Sequence, residues 1–280
     1  MSKRKILVTG GGGYIGAVLV PALLRRGYLV TVVDNFMYRQ NSLASVCRNP
    51  DLSVVCLDVR RSTEMEPLIQ DADVIIPLAA IVGAPACARD PVTATITNRV
   101  AILSMLREVH QKQTIIMPTT NSAYGLGGAN NYCDEQSPLN PLSQYANEKV
   151  EVEQALLQHP RAISLRLATV FGMSPRMRLD LLVNDFTWRA VTDKSLVLFE
   201  ASFKRNYVHV VDVAQAFLHA LSHEDLMKGK IYNVGLSSAN VSKKKLCALI
   251  QKQVPDSHYV ESPVGKDPDQ RNYMVSNARI

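Results

Sequence analysis

The sequence predicts an α/β fold, a doubly wound parallel sheet with helices on both faces, followed by a small C-terminal domain. Three observations support this prediction. Short apolar runs alternate with stretches whose apolar residues recur at helical spacing. The first apolar run leads directly into a glycine-rich turn, and later runs end in polar or small residues. In a doubly wound sheet the ends of the strands meet at one edge, where a ligand binds.

The composition of the chain excludes several classes of protein. Of its 280 residues, 47% are hydrophobic and 20% are charged, as in an ordinary globular protein. No apolar run approaches the ~20 residues that span a membrane, and the N-terminus lacks the apolar core of a secretion signal, so we expect a cytoplasmic protein without a membrane partner. Five cysteines without paired spacing predict neither a disulfide framework nor a zinc knuckle.

The formal charge of +6 is spread along the sequence. The one basic cluster, residues 243–245, has no interleaved aromatic residues, so we predict no nucleic-acid partner. A modest positive field attracts an anionic diphosphate instead. His219 and His223 share helical spacing but lack the acidic partner of a metal-binding helix, and no metal site is predicted.

The first apolar run, residues 5–9, is predicted to be a buried strand, and the spacing Gly10-x-x-Gly13-x-x-Gly16 follows it. A helical pattern begins after these glycines. Glycines at this spacing allow a tight turn, a close approach of backbone to a pyrophosphate and close packing of helix on strand. The free N–H groups and the dipole at the helix start favour the anion. The segment therefore predicts a dinucleotide site.

The second predicted strand, residues 29–33, leads into Asp34. A carboxylate at this strand end accepts hydrogen bonds from both hydroxyls of a ribose and repels a 2′-phosphate, which favours NAD over NADP. Arg39 follows closely and can accept the extra phosphate, so NADP stays open.

Two further strands contribute to the same edge. Residues 53–57 lead into Asp58 and Val59, which are placed to flank an adenine ring. Residues 73–80 are predicted to form a strand whose small C-terminal residues allow a cofactor to lie against the backbone.

Tyr145 and Lys149 are the centre of the catalytic hypothesis, because i and i+4 positions share one face of a helix, here predicted over residues 143–158. An ammonium group beside a phenol favours the phenolate and lowers a pKa that is otherwise near ~10. Thr120 follows a strand predicted at residues 114–117, so its hydroxyl can be directed into the cleft. Together the three groups can hold an alcohol and accept its proton.

With these motifs in order, the chain resembles the extended short-chain dehydrogenases that act on nucleotide sugars. The resemblance covers essentially the whole chain and implies a Rossmann domain with bound NAD. It makes Tyr145 the catalytic base and Lys149 the residue that lowers the Tyr145 pKa and holds the nicotinamide ribose. Thr120 becomes the orienting hydroxyl, because the family's Ser or Thr stands four positions before the tyrosine of a Tyr-Gly pair, here Tyr124. Ser122 is the reserve candidate.

The resemblance also implies two sets of binding residues. The expected cofactor-binding residues are Gly10, Gly13, Tyr14, Ile15, Gly16, Asp34, Asn35, Asp58, Val59, Leu78, Ala79, Ala80, Asn98, Tyr145 and Lys149. The expected substrate-binding residues are Val82, Asn121, Ser122, Thr169, Asn184, Arg205 and Arg271. The two arginines suit a diphosphate, because a planar guanidinium binds two phosphate oxygens at once.

The same resemblance divides the chain into domains. Residues 1–170 are expected to form the NAD-binding domain with the catalytic residues. Residues 171–280 are expected to form mainly the nucleotide-sugar domain, with some segments returning to the sheet. The family implies a homodimer packed through helices predicted at residues 98–109 and 143–158, and a further helix after Ile280.

One departure from the family concerns the reaction. In its 4,6-dehydratases an Asp and a Glu follow the threonine and supply the acid and the base for loss of water, whereas Asn121 and Ser122 stand there in this chain. Neither side chain can do that chemistry, so dehydration is disfavoured. Removal of a hydride from a sugar carbon, expected at C4, remains, either as a complete oxidation or as half of an epimerisation.

Several runs, among them residues 77–85, 169–186 and 235–240, resemble GDP-heptose 4-dehydrogenases of bacterial capsule pathways. This closer resemblance implies GDP-D-glycero-α-D-manno-heptose as substrate, a 4-keto product and a tightly held NAD that 2-oxoglutarate reoxidises. A 4-epimerase with retained NAD(H) and a 4-keto reductase stay open, since related enzymes share the catalytic residues. A catalytically inactive NAD-sensing protein is disfavoured, because all three catalytic residues are present.

Overall fold

The computed structural model describes residues 3–127, 132–264 and 271–280. Its strands are β1 Lys5–Thr9, β2 Leu29–Asp34, β3 Leu52–Cys56, β4 Val74–Pro77, β5 Thr114–Thr120, β6 Tyr132–Cys133, β7 Ala162–Leu167, β8 Thr169–Phe171, β9 Ser195–Leu198, β10 Lys204–His209, β11 Lys230–Val234, β12 Asn240–Ser242, β13 His258–Glu261 and β14 Met274–Val275. Its α-helices are α1 Gly16–Arg25, α2 Ser62–Gln70, α3 Ala84–Arg89, α4 Pro91–Thr95, α5 Ala101–Glu108, α6 Gln144–Leu156, α7 Leu182–Thr192, α8 Val210–Ser222, α9 Glu224–Met227 and α10 Lys243–Gln253. A π-helical turn, Ile96–Val100, joins α4 to α5, and 3₁₀ turns cover Ala44–Val46, Asn121–Tyr124 and Ser237–Ala239.

Seven parallel strands form the central sheet in the order β11-β7-β5-β4-β1-β2-β3. From β1 the chain builds outwards to β3 and then crosses back to β4 on the other side. Val8 in β1 is paired with Val32 on one side and Ile76 on the other. The carboxyl ends of β1 and β4 therefore flank the point where the strand order reverses, which is where such sheets bind ligands. The predicted doubly wound α/β class is confirmed.

Apolar layers cover both faces of this sheet. In β1, Ile6 and Val8 belong to the layer shared with α1 and α8, whereas Leu7 belongs to the layer shared with α2, α5 and α6. Strands buried on both faces are continuously apolar, which explains why the short apolar runs were recognisable in the sequence. Full burial of each large aliphatic side chain contributes about 1.5–3 kcal/mol.

The C-terminal part of the chain builds a smaller layer beside the sheet. Helices α7 and α10 and the parallel pair β9 and β13 surround a third apolar cluster. Strands β8, β10 and β12 form a separate three-stranded sheet. From the same part of the chain, β11 pairs with β7 at the edge of the central sheet, and α8 covers one of its faces.

Two elements near the cleft differ from the sequence predictions. Strand β4 ends at Pro77 instead of residue 80, so residues 78–83 form a loop over the strand ends. The helix predicted over residues 98–109 is interrupted, because Asn98 lies in the π-helical turn and α5 begins only at Ala101. Such turns occur frequently at functional sites. No helix among the described residues is both long and apolar enough to cross a membrane.

Candidate active site

Helix α6 presents Tyr145 and Lys149 one turn apart, as their spacing predicted. The helix begins after Ser143, whose hydroxyl accepts a hydrogen bond from the N–H of Ala146 at 3.2 Å. The Lys149 Nζ atom lies 6.0 Å from the centre of the Tyr145 ring. Lys149 is buried, so its ammonium group is available to the cleft and not to bulk water.

Thr120 ends β5 and is held by its neighbours. Its Oγ1 accepts a hydrogen bond from the N–H of Ser122 at 3.0 Å and donates one to the Ser122 hydroxyl at 2.9 Å. Arg271 Nη1 donates to the same Ser122 hydroxyl. The end of β5 and the 3₁₀ turn after it pack against α6. Ser122, the reserve candidate, therefore orients Thr120 and links it to Arg271.

The pKa values of the catalytic pair differ from the sequence expectation. Burial raises the pKa of Tyr145 to about 12, the nearby Cys87 thiol adds to the rise, and the charges of Arg178 and Arg271 oppose it. Burial lowers the pKa of Lys149 to about 8. The expectation of a lowered pKa for Tyr145 does not hold for the protein alone, because burial outweighs the charges of Arg178 and Arg271; the influence of Lys149 on Tyr145 stays a prediction.

The glycine turn has the close approaches that its spacing predicted. Gly10 has φ of +69°, and a Cβ there would lie 2.5 Å from the backbone nitrogen of Ala79. A Cβ on Gly16 would lie 2.5 Å from the carbonyl oxygen of Gly11. Only glycine fits at these two positions. Helix α1 begins directly at Gly16, so the N–H groups of its first turn face the same strand ends.

Acidic residues follow the neighbouring strands. The Asp34 carboxylate accepts hydrogen bonds from the N–H groups of Gly12 at 2.9 Å and Phe36 at 2.8 Å, one on each oxygen. Each oxygen keeps a lone pair for a ribose hydroxyl. Asp58 accepts three hydrogen bonds from Arg60, two from the guanidinium at 2.9 and 2.8 Å and one from the backbone N–H at 3.0 Å, and one from Asn35 at 3.2 Å.

The hydrogen bond from Arg60 holds the pKa of Asp58 below its usual range. Asp58 is therefore an ionised, fixed group beside Val59, at the position predicted to flank an adenine. The glycine turn, the two free lone pairs of Asp34 and the close backbone at Ala79 together fit an NAD molecule along the strand ends.

Asn98 is committed to the loop 78–83. Its Oδ1 accepts a hydrogen bond from the N–H of Ile81 at 2.8 Å, and its Nδ2 donates to the carbonyl of Ile81 at 2.9 Å. The residue is completely buried. These bonds hold the loop that carries Leu78, Ala79 and Ala80; the cofactor contact expected of Asn98 from the sequence stays a prediction.

Asn184 is likewise used inside the protein. Its Oδ1 accepts from the N–H of Gly172 at 2.9 Å, and its Nδ2 donates to the carbonyl of Arg178 at 2.9 Å and to the Tyr14 hydroxyl at 3.3 Å. The Tyr14 hydroxyl in turn donates to the carbonyl of Gly172 at 2.6 Å. The two N–H groups of Asn184 are thus used, whereas its Oδ1 keeps a second lone pair for a substrate donor.

The remaining predicted substrate residues occupy different positions. Thr169 in β8 is paired with Tyr207 in β10, and Arg205 is buried in the same small sheet. Val82 lies exposed in the loop after β4. Asn121 is completely buried, and neither its amide nitrogen nor its amide oxygen has a hydrogen-bond partner among the described residues. Unsatisfied buried amides are rare, and the substrate contact expected of Asn121 stays a prediction.

Sequence reasoning missed Arg178 and Cys87, which both act on Tyr145 from other elements. Cys87 lies in α3 and donates to the carbonyl of Ile81 at 3.3 Å. No spacing relates either residue to Tyr145, so no local signal could have identified them. In the part of the chain that the structure describes, no group of three His, Cys, Asp or Glu residues could hold a metal ion.

Comparison with known proteins gives the same picture. A model of the NAD dependent epimerase/dehydratase family matches residues 6–235. A putative UDP-glucose 4-epimerase from Methanocaldococcus jannaschii is 28% identical over 264 residues, which are 89% of this chain and 82% of that protein. UDP-glucuronic acid decarboxylase 4 from Arabidopsis thaliana is 25% identical over 294 residues; the match covers 99% of this chain but only 64% of the plant protein.

Solved structures agree with these sequence matches. UDP-glucose 4-epimerase from Thermotoga maritima, solved with UDP-glucose, superposes with a TM-score of 0.84 at 25% identity and covers 97% of this chain and 89% of that one. The family model spans the glycine turn, the acidic strand ends and the Tyr145–Lys149 helix. The chain therefore belongs to the NAD-dependent epimerase/dehydratase family.

Proposed function

We propose that this protein oxidises C4 of a nucleotide-activated sugar, with NAD as the hydride acceptor. The observation that carries the proposal is the meeting of three elements at one edge of the sheet: the glycine turn after β1, Thr120 at the end of β5, and Tyr145 with Lys149 on α6. A cofactor site and a proton-accepting group at the same edge are what transfer of a hydride and a proton from one alcohol requires.

The proposed mechanism assigns one task to each side chain. In the protein alone Thr120 Oγ1 donates its hydrogen to the Ser122 hydroxyl at 2.9 Å; with substrate bound, it would donate this hydrogen to the C4 oxygen instead, which leaves the proton of the C4 hydroxyl free to pass to Tyr145. Tyr145 accepts the proton of that hydroxyl. Bound NAD supplies the acceptor for the C4 hydride.

The pKa of Tyr145 is about 12 with the charges of Arg178 and Arg271 already acting on the phenol, so the phenolate is scarce at neutral pH in the protein alone. We propose that Lys149, whose Nζ lies 6.0 Å from the centre of the Tyr145 ring, makes the phenolate accessible when cofactor and substrate are bound. In the reverse direction the protonated phenol donates to a C4 carbonyl, so the same residues serve a 4-epimerase or a 4-keto reductase.

GDP-D-glycero-α-D-manno-heptose is the first candidate substrate, with 2-oxoglutarate as the compound that reoxidises NADH. The support is the resemblance of residues 77–85 and 169–186 to GDP-heptose 4-dehydrogenases. The named relatives act on UDP-sugars, which makes UDP-sugars the second candidate.

Asn121 and Ser122 in place of an acid and a base argue against dehydration. Arg205 and Arg271 are the proposed diphosphate ligands.

A homodimer is part of the proposal. Val92, Ile96 and Val100, spaced four residues apart, expose an apolar stripe along α4 and the π-helical turn. An ion pair between Arg99 and Glu151 joins this turn to α6. A second copy that packs through the same helices would cover the stripe, as isologous interfaces do.

Tyr145→Phe tests the catalytic role. The variant should fold and bind NAD, and should lose turnover by about 10²–10⁴-fold, which is the usual contribution of an acid–base group. Tyr28→Phe is the matched control, because Tyr28 directly precedes β2 and lies at the opposite edge of the sheet. Activity of Tyr145→Phe near that of the control would reject the mechanism.

The products identify the reaction. Wild-type protein is incubated with GDP-manno-heptose, UDP-glucose or UDP-glucuronic acid, with and without 2-oxoglutarate, and the products are analysed by NMR and mass spectrometry. A product lighter by two hydrogens that accumulates with 2-oxoglutarate establishes the dehydrogenase. An isomer of unchanged mass establishes an epimerase, and turnover of UDP-sugars alone excludes the heptose.

A further inference from the structure

The segment between β8 and α7, residues 172–181, contacts both the glycine turn and the loop after β4; we call it the strap. It is fastened to the glycine turn by two hydrogen bonds of Tyr14. The Tyr14 hydroxyl donates to the carbonyl of Gly172 at 2.6 Å, and the Ser174 hydroxyl donates to the carbonyl of Tyr14 at 2.7 Å. The strap is therefore a fixed wall of the site.

Arg178 lies in the middle of the strap and is held in one orientation. Its Nε donates to Asp180 Oδ1 at 3.1 Å, and its Nη2 donates both to Asp180 Oδ2 and to the carbonyl of Val82 at 3.5 Å. The Asn184 amide fixes its backbone through the carbonyl oxygen. A fork fixed by a carboxylate and by the loop after β4 is pre-organised for binding.

One nitrogen of the Arg178 guanidinium group makes no hydrogen bond within the described residues. Nη1 of Arg178 has no hydrogen-bond partner among the described residues, and it is not among the polar atoms that are sealed from solvent. The Arg178 charge acts on the Tyr145 phenol. Because Nη2 of the same guanidinium contacts the carbonyl of Val82 in the loop that follows β4, the unused N–H groups lie at the edge of the sheet where the strands end.

Arg178 and Asp180 together form a neutral pair, and this indicates which kind of ligand they bind. The Arg178 side chain is 16% exposed and that of Asp180 is 64% exposed, so a donor stands beside an accessible acceptor. A sugar hydroxyl both donates and accepts, and this neutral couple satisfies both needs. An arginine without the carboxylate would suit an anionic carboxylate ligand.

We propose that the Arg178–Asp180 couple is a hydroxyl-binding subsite for the sugar that reacts at Tyr145, and that it selects a neutral, hydroxylated sugar over a uronic acid. This inference rests on the proposed function. It separates the chain from a relative such as the plant protein named UDP-glucuronic acid decarboxylase.

The test measures binding by calorimetry in a Tyr145→Phe background loaded with NAD, so that no turnover occurs. The probes are UDP-glucose, UDP-glucuronic acid and UDP, together with GDP-mannose and GDP. Arg178→Met should weaken binding of the neutral nucleotide sugars by about tenfold or more, since it removes a hydrogen bond from a charged donor. The affinity for UDP or GDP should not change.

Asp180→Asn provides the second test, and the exposure of Asp180 makes this variant safe for folding. It leaves the Arg178 charge uncompensated, so the preference should shift about tenfold towards UDP-glucuronic acid, the ratio that one pKa unit of differential interaction gives. Arg189→Met and Asp185→Asn are the matched controls, because Arg189 donates to Asp185 at 2.8 Å on the exposed face of α7. Neither control should alter any affinity.

Two results would overturn the subsite. Equal weakening of the nucleotide sugar and its diphosphate in Arg178→Met would assign Arg178 to the diphosphate. An unchanged preference in Asp180→Asn would remove the selection of neutral sugars. The proposed function fails separately, by retained turnover in Tyr145→Phe or by no binding of any nucleotide probe, and the second of these also removes the subsite.

Discussion

The two halves of helix α6 differ in whether their buried polar side chains have hydrogen-bond partners. Towards its C-terminal end, the Glu153 carboxylate accepts hydrogen bonds from Arg166, from the Thr119 hydroxyl at 2.9 Å and from the Ser164 hydroxyl at 2.6 Å. Towards its N-terminal end, Glu148 Oε2 is buried without a partner in the described chain, and Lys149 is buried with its pKa lowered to about 8.

The C-terminal half, whose buried carboxylate is fully hydrogen-bonded, belongs to the scaffold. Arg166 also donates to the Tyr124 hydroxyl at 3.0 Å, which donates to Asn233 Oδ1 at 2.8 Å. The network thereby joins α6 to β5, β7 and β11, beneath the strand ends. A fully connected buried network fixes the relative position of its elements.

The N-terminal half carries the residues that we propose for catalysis. Tyr145, Lys149, Glu148 and nearby Asn121 hold polar atoms that the protein leaves unsatisfied or shifts in pKa. Such groups cost stability and occur where a ligand completes them. The satisfaction of buried polar atoms thus distinguishes scaffold from site within a single helix, where residue type alone does not.

The largest expected effect on stability is in the C-terminal half of α6. Glu153→Gln leaves the Arg166 charge buried without its counter-charge, and the free energy of unfolding should fall by about 3–5 kcal/mol. Denaturant unfolding at neutral pH measures this loss. A loss below about 1 kcal/mol would contradict the view that this pair is a fully buried ionic scaffold.

Lys149 should give an intermediate effect that depends on pH. Its pKa is lowered from the ordinary value of 10.5 to about 8, so the unfolded chain binds the proton more tightly than the folded one. The destabilisation is complete below about pH 8 and disappears as the pH rises towards 10.5.

Lys149→Met removes this dependence. At pH 7 the variant should be more stable than the wild type, because it has no buried ammonium group. This difference in the free energy of unfolding should shrink by about 2 kcal/mol between pH 7 and pH 9.5, because one pKa unit corresponds to about 1.4 kcal/mol. Unfolding of both proteins, stripped of nucleotide, is followed at the two pH values. A constant difference would show that Lys149 keeps an ordinary pKa in the fold.

Glu148→Gln should have the smallest effect. The carboxylate accepts hydrogen bonds only on Oε1, from Gln144 and Thr95, and an amide oxygen can accept them equally well. The free energy of unfolding should change by less than about 1 kcal/mol. Since Glu148 raises the pKa of Lys149, the pH dependence of stability should begin at lower pH. A loss equal to that of Glu153→Gln would erase the difference between the two halves of α6.

Much of the cofactor half of the site could be predicted because its determinants are local. The spacing from Gly10 to Gly16 and the position of Asp34 after a strand depend on neighbours within one strand–turn–helix unit. The i, i+4 relation of Tyr145 and Lys149 is a property of any helix. Runs buried on both faces of the sheet are recognisable without knowledge of their partners.

The substrate half depended on contacts between distant segments. Asn98 and Asn184 have amides that could bind a ligand, and only the fold shows that Ile81, Gly172 and Arg178 use them. The pKa of Tyr145 was predicted with the wrong sign, because burial is a property of the whole fold and sequence spacing reports only the neighbouring charge.

The sequence by itself thus determined the fold class, the glycine turn and the pairing of Tyr145 with Lys149 on one helix face, because periodicity and short spacings encode them. The tertiary structure alone decided which polar side chains remain available to a substrate. Hydrogen-bonding capacity is allocated between residues far apart in the chain, as in the contacts of Arg178 with Val82 and of Arg271 with Ser122. No local pattern records that allocation.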